Sequence, residues 1–486
     1  MRGNCRTSGE QRRKESGNVF GEGSRTPISI TILVRKPKKG PNELAAILYK
    51  DIGDYLTRED KLKTIKDFGS MLSASIGLSS IAPNEAGDWI NQRDGLFETF
   101  IPIGDKEEKS EKTFFVPFYS CGVKTQRDTW CYNFCKEVLA SSMRRTIDFY
   151  NDHIGKVPTY SSTHINWTRA TLNNLERGKK TAFSEQSICT AMYRPFCKQN
   201  LYFDRFWNEM VYQIPRLFPT PQSKNLVICT AGVGSKTFST LITDQIPDLH
   251  ILESGTQCFP LYWYEKNERD TLSLFDNGNS DYSRRSGLTD FILQRAREEY
   301  GPKTSAEDVF YYVYGLLHST DYRKKFAADL TKDLPRIPLV GSPQDFKAFM
   351  KAGRKLADLH LNYENGPLCQ QLIITGDRPS KLNVTKMRFP SKEDKGTILF
   401  NDSVKIENIP MAAYDYVVNG KSAVEWVMER YAVTKNADSG IVNDPNLWSD
   451  NPRYILELVS RVIQMSVDTQ KIVAGLPKLD FSSQKS

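Results

Sequence analysis

No run in these 486 residues approaches the roughly 18 to 20 consecutive apolar side chains that a membrane-spanning helix requires, so no membrane segment is expected. The opening, MRGNCRTSGEQRRKESGN, is basic but lacks the apolar centre of a secretory leader, which makes the cytoplasm the expected location. Nine cysteines are scattered and never form CxxC, which argues against a disulfide framework and against zinc-ribbon spacing. Cys131 and Cys135 stand four apart in an expected helix, but no second ligand pair follows, so packed thiols are the reading. Histidine is rare. His153, His164, His250, His318 and His360 are the whole set, none within HExxH and none in a nucleophile-elbow setting. His318 and His360 close expected helices, where a cation would meet the negative end of the dipole.

Phosphate loops are missing as well. Gly232-Val-Gly234-Ser-Lys236-Thr237 resembles the end of a Walker A loop, yet Ser235 stands where glycine must precede the lysine. Gly21-Glu-Gly23-Ser-Arg-Thr26 lacks the third glycine of a dinucleotide fingerprint and precedes a strand. Gly420-Lys421-Ser422 lacks an upstream glycine. All three are expected to be turns or helix starts. Spaced carboxylates for metal-dependent cleavage and a DEAD-like box are also absent, so hydrolase readings rank low.

What is present suits a folded protein of two or three domains, with 39% hydrophobic and 11% aromatic residues. The charge is mild: 66 Lys plus Arg against 58 Asp plus Glu give +8, enough for local basic patches but not for a basic protein overall. Ile28 to Val34 reads as an apolar, β-branched strand that needs neighbours on both sides. It either pairs with distant parts of the chain or belongs to a sheet whose other strands are missing. Thr57 with Asp60, and Ser305 with Asp308, are capping boxes that open helices. Ser342 caps a third helix with Pro343 in its first turn. Phe134, Val138, Leu139 and Met143 recur at helical spacing, as do the apolar residues of KSAVEWVMERYAV and NPRYILELVSRVIQMSV. QLIITGD, TILFND and VKIENIP read as strands.

Between 155 and 290, prolines, aromatics and basic residues interleave in INWTRATLNNLERGKK, YRPFCKQNLYFDRFW and CFPLYWYEKNERD. Arginine and lysine suit guanine edges, asparagine and glutamine suit adenine, and aromatics stack on exposed bases. Tyr193, Phe196, Tyr202 and Phe203 serve equally well as core. The candidate DNA contacts are Arg169, Arg194, Lys198, Gln199, Asn200 and Lys236, with no catalytic residue among them.

YRPFCKQNLYFDR, DQIPDLHILESGTQCFPLYWYE, SAEDVFYYVYGLLHSTDYRKKFAADLTKDLPRIPL, YVVNGKSAVEWVMERY and SGIVNDPN, in order along the chain, resemble the C-terminal specificity region of type ISP restriction–modification enzymes. GSRTPISITILV resembles the closing strand of that family's adenine-N6 methyltransferase sheet. The resemblance implies a mixed α/β (α+β) fold, a partial methyltransferase sheet edge followed by a β-rich recognition domain with packed helices. The implied segments are 1–38 as methyltransferase remnant, 39–155 as α/β connector, 156–365 as target-recognition domain and 366–486 as C-terminal α/β cap. The family's S-adenosylmethionine loop, Asn-Pro-Pro-Tyr-like segment, helicase motifs and nuclease carboxylates have no counterpart here. S-adenosylmethionine, ATP and magnesium are therefore implied only for missing domains, and no cofactor is expected in this chain. The implied partners are double-stranded DNA and a separate methyltransferase, helicase or nuclease polypeptide. Part of an active methyltransferase completed by another chain, and a fragment without a role, are the alternatives. Arg194 is open between a base contact and an anchor to a buried carboxylate such as Asp204.

Overall fold

The computed structural model describes residues 3–4, 9–21, 25–35, 45–71, 73–108, 110–159, 161, 163–267, 281–377 and 382–481. They form two compact units, Met1–Gly95 with Asn419–Lys421, and Leu96–Val418 with Ser422–Ser486.

The first unit buries few apolar side chains. Its fixed point is Lys61, whose buried ammonium donates to the carbonyls of Glu15 and Gly17 at 2.6 and 2.7 Å. These bonds tie the helix Arg58–Phe68 to the end of the helix Gly9–Glu15. Thr57 and Asp60 form the expected capping box. Ile47–Tyr49 pairs antiparallel with Ser79–Ile81. Among the described residues the apolar run 28–34 joins no ladder, so the first of the two readings, pairing with distant parts of the chain, is not seen there. Ile30, Ile32, Leu33 and Val34 are at least 55% exposed. Of the glycine-rich turn before it, residues 22–24 lie outside the described residues.

The second unit is mixed α and β, as expected. Its recurring elements are β1 (Tyr132–Asn133), α1 (Lys136–Asp152), β2 (Ile188–Arg194), β3 (Cys197–Tyr202), β4 (Val227–Thr230), β5 (Thr240–Thr243), β6 (Ile246–Pro247) and β7 (Gln257–Pro260). They are followed by α2 (Ala306–Leu316), α3 (Pro343–Leu361), β8 (Thr434–Lys435), β9 (Val442–Asn443) and α4 (Tyr454–Ala474). One sheet runs β6-β2-β3-β1, antiparallel except for the β6/β2 pair. The other runs Ser120–Cys121, β7, β4, β5, antiparallel throughout. The strands expected in QLIITGD, TILFND and VKIENIP form a third sheet, with Lys405–Glu407 in the middle. One hydrophobic cluster takes in residues from Val123 to Met465, and a second takes in residues from Phe97 to Ala357. Among the described residues no helix is long and apolar enough to cross a membrane.

Local capping set the helix starts well. Ser305 and Asp308 box α2, and Ser342 caps α3 with Pro343 at its first position. Near Cys131 the expectation fails. Asp128–Cys131 is a single turn, Tyr132–Asn133 then pairs with β3, and Cys135 caps α1. The two cysteines therefore share no helix face.

Helices α2 and α3 cross at glycine on both sides. A Cβ on Gly315 would lie 2.2 Å from the Phe349 carbonyl oxygen, and one on Gly353 would lie 1.9 Å from that of Tyr311. Around the crossing, Phe346 stacks on Tyr300 at 4.0 Å and on Tyr312 at 4.9 Å. The same crossing buries both helix-end histidines. His360 Nδ1 meets the Tyr314 hydroxyl at 2.6 Å, its Nε2 meets Thr469 Oγ1 at 3.0 Å, and its ring lies parallel to Tyr416. His318 Nδ1 donates to the Tyr314 carbonyl at 2.8 Å.

The helix-dipole explanation for these two residues is thus overturned. Burial, reinforced by the neighbouring Arg323 cation, pushes His360 down to about 3. The same two causes, with His360 added, hold His318 well below its usual value. Neutral rings at a helix end gain little from the dipole, because desolvation penalises the cation more. A folded pKa below the unfolded one means that the unfolded chain binds more protons as the solution is acidified. The stability contributed is therefore full above about pH 6.5 and falls as pH drops below it. His360 alone should lose about 2 kcal/mol between roughly pH 7 and pH 5. Denaturant midpoints across that range check this. His360→Gln should flatten the slope, and an unchanged slope would show that His360 does not titrate there.

Candidate nucleic-acid interface

Four of the six residues singled out from sequence, Arg194, Lys198, Gln199 and Asn200, lie on the β2–β3 hairpin. Pro195 fixes its entry into the turn, and Phe196 occupies the left-handed region at φ 57° with its ring fully buried. Cross-strand pairs share a face, so the register Met192↔Lys198 and Thr190↔Asn200 places Lys198 and Asn200 on one side of the sheet. Ala191↔Gln199 puts Gln199 on the other. One duplex cannot be read by both faces.

Their partners are within the protein. Arg194 bonds Asp248 at 2.7 Å and Asp128 at 3.2 Å, with its guanidinium 3.9 Å from the Tyr193 ring centroid. Asp248 also accepts from the Tyr132 hydroxyl at 3.0 Å and the His250 backbone N–H at 2.8 Å. Burial raises the Asp248 carboxyl to about 7 against the pull of Arg194. Burial works against the Arg194 cation too, but Asp248, Tyr193 and Asp128 outweigh it and hold the guanidinium charged. The carboxylate anchor is therefore Asp248 with Asp128. Asp204 instead accepts from the backbone N–H groups of Phe206 and Trp207.

Lys198 pairs with Glu364 at 2.5 Å, and the Tyr454 hydroxyl donates to the other oxygen of that carboxylate. Gln199 is 2% exposed and accepts from Asn443 Nδ2 at 3.2 Å. Asn200 donates to the Phe134 carbonyl at 2.9 Å. Arg169 is exposed at the start of the helix Arg169–Glu176. Lys236 is half-buried, and the amides around it are engaged: Gly232 N–H with Glu253 O, Gly234 N–H with Thr331 O, Lys236 N–H with the Glu253 carboxylate. That loop is a turn and offers no phosphate cradle.

Two features were not singled out from sequence. Arg144 and Arg145 are exposed on α1, and Arg177, Lys179 and Lys180 are exposed in the run after the helix Arg169–Glu176. The basic run is fastened along α1 by Tyr150 Oη donating to Lys179 O at 3.0 Å and Asn151 Nδ2 to Thr181 O at 2.7 Å. Arg144 covers the Phe183 ring at 3.8 Å. The run RGKK and the pair RR were the available signal. The second feature is the β8–β9 ribbon, which borders a groove of about 280 Å³. Another groove, of about 450 Å³, opens beside Lys198, Glu364, Trp448 and Arg461. Among the described residues no cluster of histidine, cysteine or acidic side chains has metal-site geometry.

A hairpin scaffold locked by buried ion pairs, polar grooves on either side and a basic strip on one helix define a binding module. The chain belongs to the Type ISP C-terminal specificity domain family, which matches residues 114–458. No curated protein matches it. Among solved structures it is similar to a nuclease-deletion mutant of the Type ISP restriction–modification enzyme LlaGI in complex with a DNA substrate mimic. That match has 38% identity and a TM-score of 0.85, covering 99% of this chain and 43% of that one. The ATP-dependent Type ISP enzyme LlaBIII bound to DNA matches with 37% identity and a TM-score of 0.87, over 99% of this chain and 30% of its own. DrdV in its DNA complex matches with 29% identity and a TM-score of 0.81, over 98% and 47%. The chain therefore spans less than half the length of each.

Proposed function

We propose that this chain recognises a specific sequence in double-stranded DNA as the specificity portion of a type ISP restriction–modification system. The observation that carries the reading is that three relatives, each described in complex with DNA or a DNA mimic, align over 98% or more of it. Arg144, Arg145, Lys179 and Lys180, with Arg169 and Lys236, supply phosphate contacts that set register, and side chains beside the grooves read base edges. Methylation and cleavage, with the S-adenosylmethionine, ATP and magnesium they use, lie outside these residues. The exposed apolar residues Ile30, Ile32, Leu33 and Val34 suit cover by a methyltransferase sheet. The compartment is the cytoplasm, in keeping with eight free cysteines among the described residues.

Anisotropy of the chain against a randomised duplex pool at low and moderate salt, followed by selection and sequencing, tests this. Enrichment of one short motif that survives added salt is expected. Affinity that collapses with salt and enriches nothing would reduce the interaction to phosphate attraction and overturn the reading. Neutralising Arg144, Arg145, Lys179 and Lys180 together should weaken all sequences alike and lower the salt slope by about 1 per lost phosphate contact.

A further inference from the structure

The β8–β9 ribbon is short, polar and held rigidly at both ends. At its base, Asn443 accepts from the Phe134 N–H at 2.8 Å and donates to Gln199, and Asn133 Nδ2 donates to the Val442 carbonyl at 2.9 Å. At its tip, Asn436 N–H bonds the Ile441 carbonyl at 3.0 Å, and Gly440, at φ 70°, returns its N–H to Asn436. Asn436 Oδ1 accepts from both the Ser439 N–H, at 2.8 Å, and the Ser439 hydroxyl, at 2.9 Å. A ribbon fixed in this way presents side chains with little left to order on binding.

The groove beneath it, about 280 Å³, is lined by Asp128, Tyr193, Gln199, Thr434, Lys435 and Asn436 among others. Its acid is already engaged, because Asp128 accepts from Arg194, Tyr193 and Thr125. Lys435 and Asn436 offer donors there. Lys435 is exposed and has no ion pair among the described residues. With its oxygen committed to Ser439, Asn436 has only its amide N–H groups to offer. The Gln199 amide nitrogen meets only the Cys197 sulfur, at 3.9 Å.

We infer that this ribbon is a base-reading element and that Lys435 determines specificity by donating to the major-groove acceptors of a guanine, N7 and O6. The inference rests on the DNA-recognition reading above. A two-stranded ribbon fits the major groove, and guanine is the base that presents two adjacent acceptors and no donor there. Asn436, restricted to donating, complements an acceptor edge and cannot make the two-way contact by which asparagine selects adenine. Asn436 positions the tip, and Lys435 makes the discriminating contact.

Duplex selection with the full chain and with Lys435→Ala tests this. The parent motif is expected to contain a guanine whose preference over other bases falls about tenfold or more in K435A, the remaining positions being kept. At that position, 7-deazaguanine should weaken the parent several-fold and leave K435A unaffected. If the parent enriches a motif and K435A enriches the same one with unchanged preferences, the ribbon assignment is overturned while DNA recognition stands. If the parent enriches no motif, DNA recognition fails and the assignment fails with it. Circular dichroism and melting of K435A should match the parent, since the side chain is exposed.

Discussion

An Arg194→Ala chain should lose about 3 to 5 kcal/mol of stability with no DNA present. The Arg194 side chain is 13% exposed and the Asp248 side chain 2%. Truncating the arginine leaves a carboxyl group buried near Tyr132 and Asp128 without the cation paired with it. Breaking one side of such a pair is expensive because the remaining group keeps its desolvation penalty and loses its compensation. The loss should also depend on pH in a definite sense. Asp248 already has its pKa raised to about 7, and removing the guanidinium raises it further. For an acid whose folded pKa lies above the unfolded value, stability is full below the unfolded pKa and is lost as pH rises through the folded one. The deficit of the variant should therefore be larger near pH 8 than near pH 6. Adding Asp248→Asn should recover part of it by removing the stranded acid. Equilibrium denaturation at the two pH values decides. If Arg194→Ala melts like the parent and loses only DNA affinity, Arg194 is a base contact after all.

Gly353→Ala carries the other large effect, and its sign runs against helix propensity. In the interior of a 19-residue helix, alanine would favour the helix by about 1 kcal/mol over glycine. Here the added Cβ would sit 1.9 Å from the Tyr311 carbonyl oxygen and 2.7 Å from the Gly315 nitrogen, both backbone atoms that no rotamer change can move aside. The helices must separate, which loosens the stack of Tyr300, Tyr312 and Phe346 and the buried Phe349. Overpacking of this kind costs about 3 kcal/mol, enough to outweigh the propensity gain. A drop in denaturation midpoint confirms it. A rise would mean that the crossing relaxes freely.

Local signals were legible in the sequence because they depend on residues a few positions apart. Thr57 with Asp60, Ser305 with Asp308, and Ser342 before Pro343 each set a helix start where the structure has one. The strand alternation that separates Lys198 and Asn200 from Gln199 was implicit in their spacing. What was not legible depends on contacts far along the chain. Arg194 meets residues 54 and 66 positions away, and the nearer Asp204 was the natural but incorrect choice of partner. His318 and His360 sit at helix ends in sequence, yet a crossing of two glycine-bearing helices buries them. The β8–β9 ribbon carried no compositional mark, since Thr434, Lys435 and Asn436 read as an ordinary surface turn.

The apolar run from Ile30 to Val34, with no strand beside it among the described residues, bears on the chain's life in solution. Two such runs from separate molecules satisfy each other's backbone groups as readily as a native neighbour would. Loss by that route is second order in protein, whereas unfolding is first order. Dilution should therefore extend the lifetime of the free chain where cooling does not.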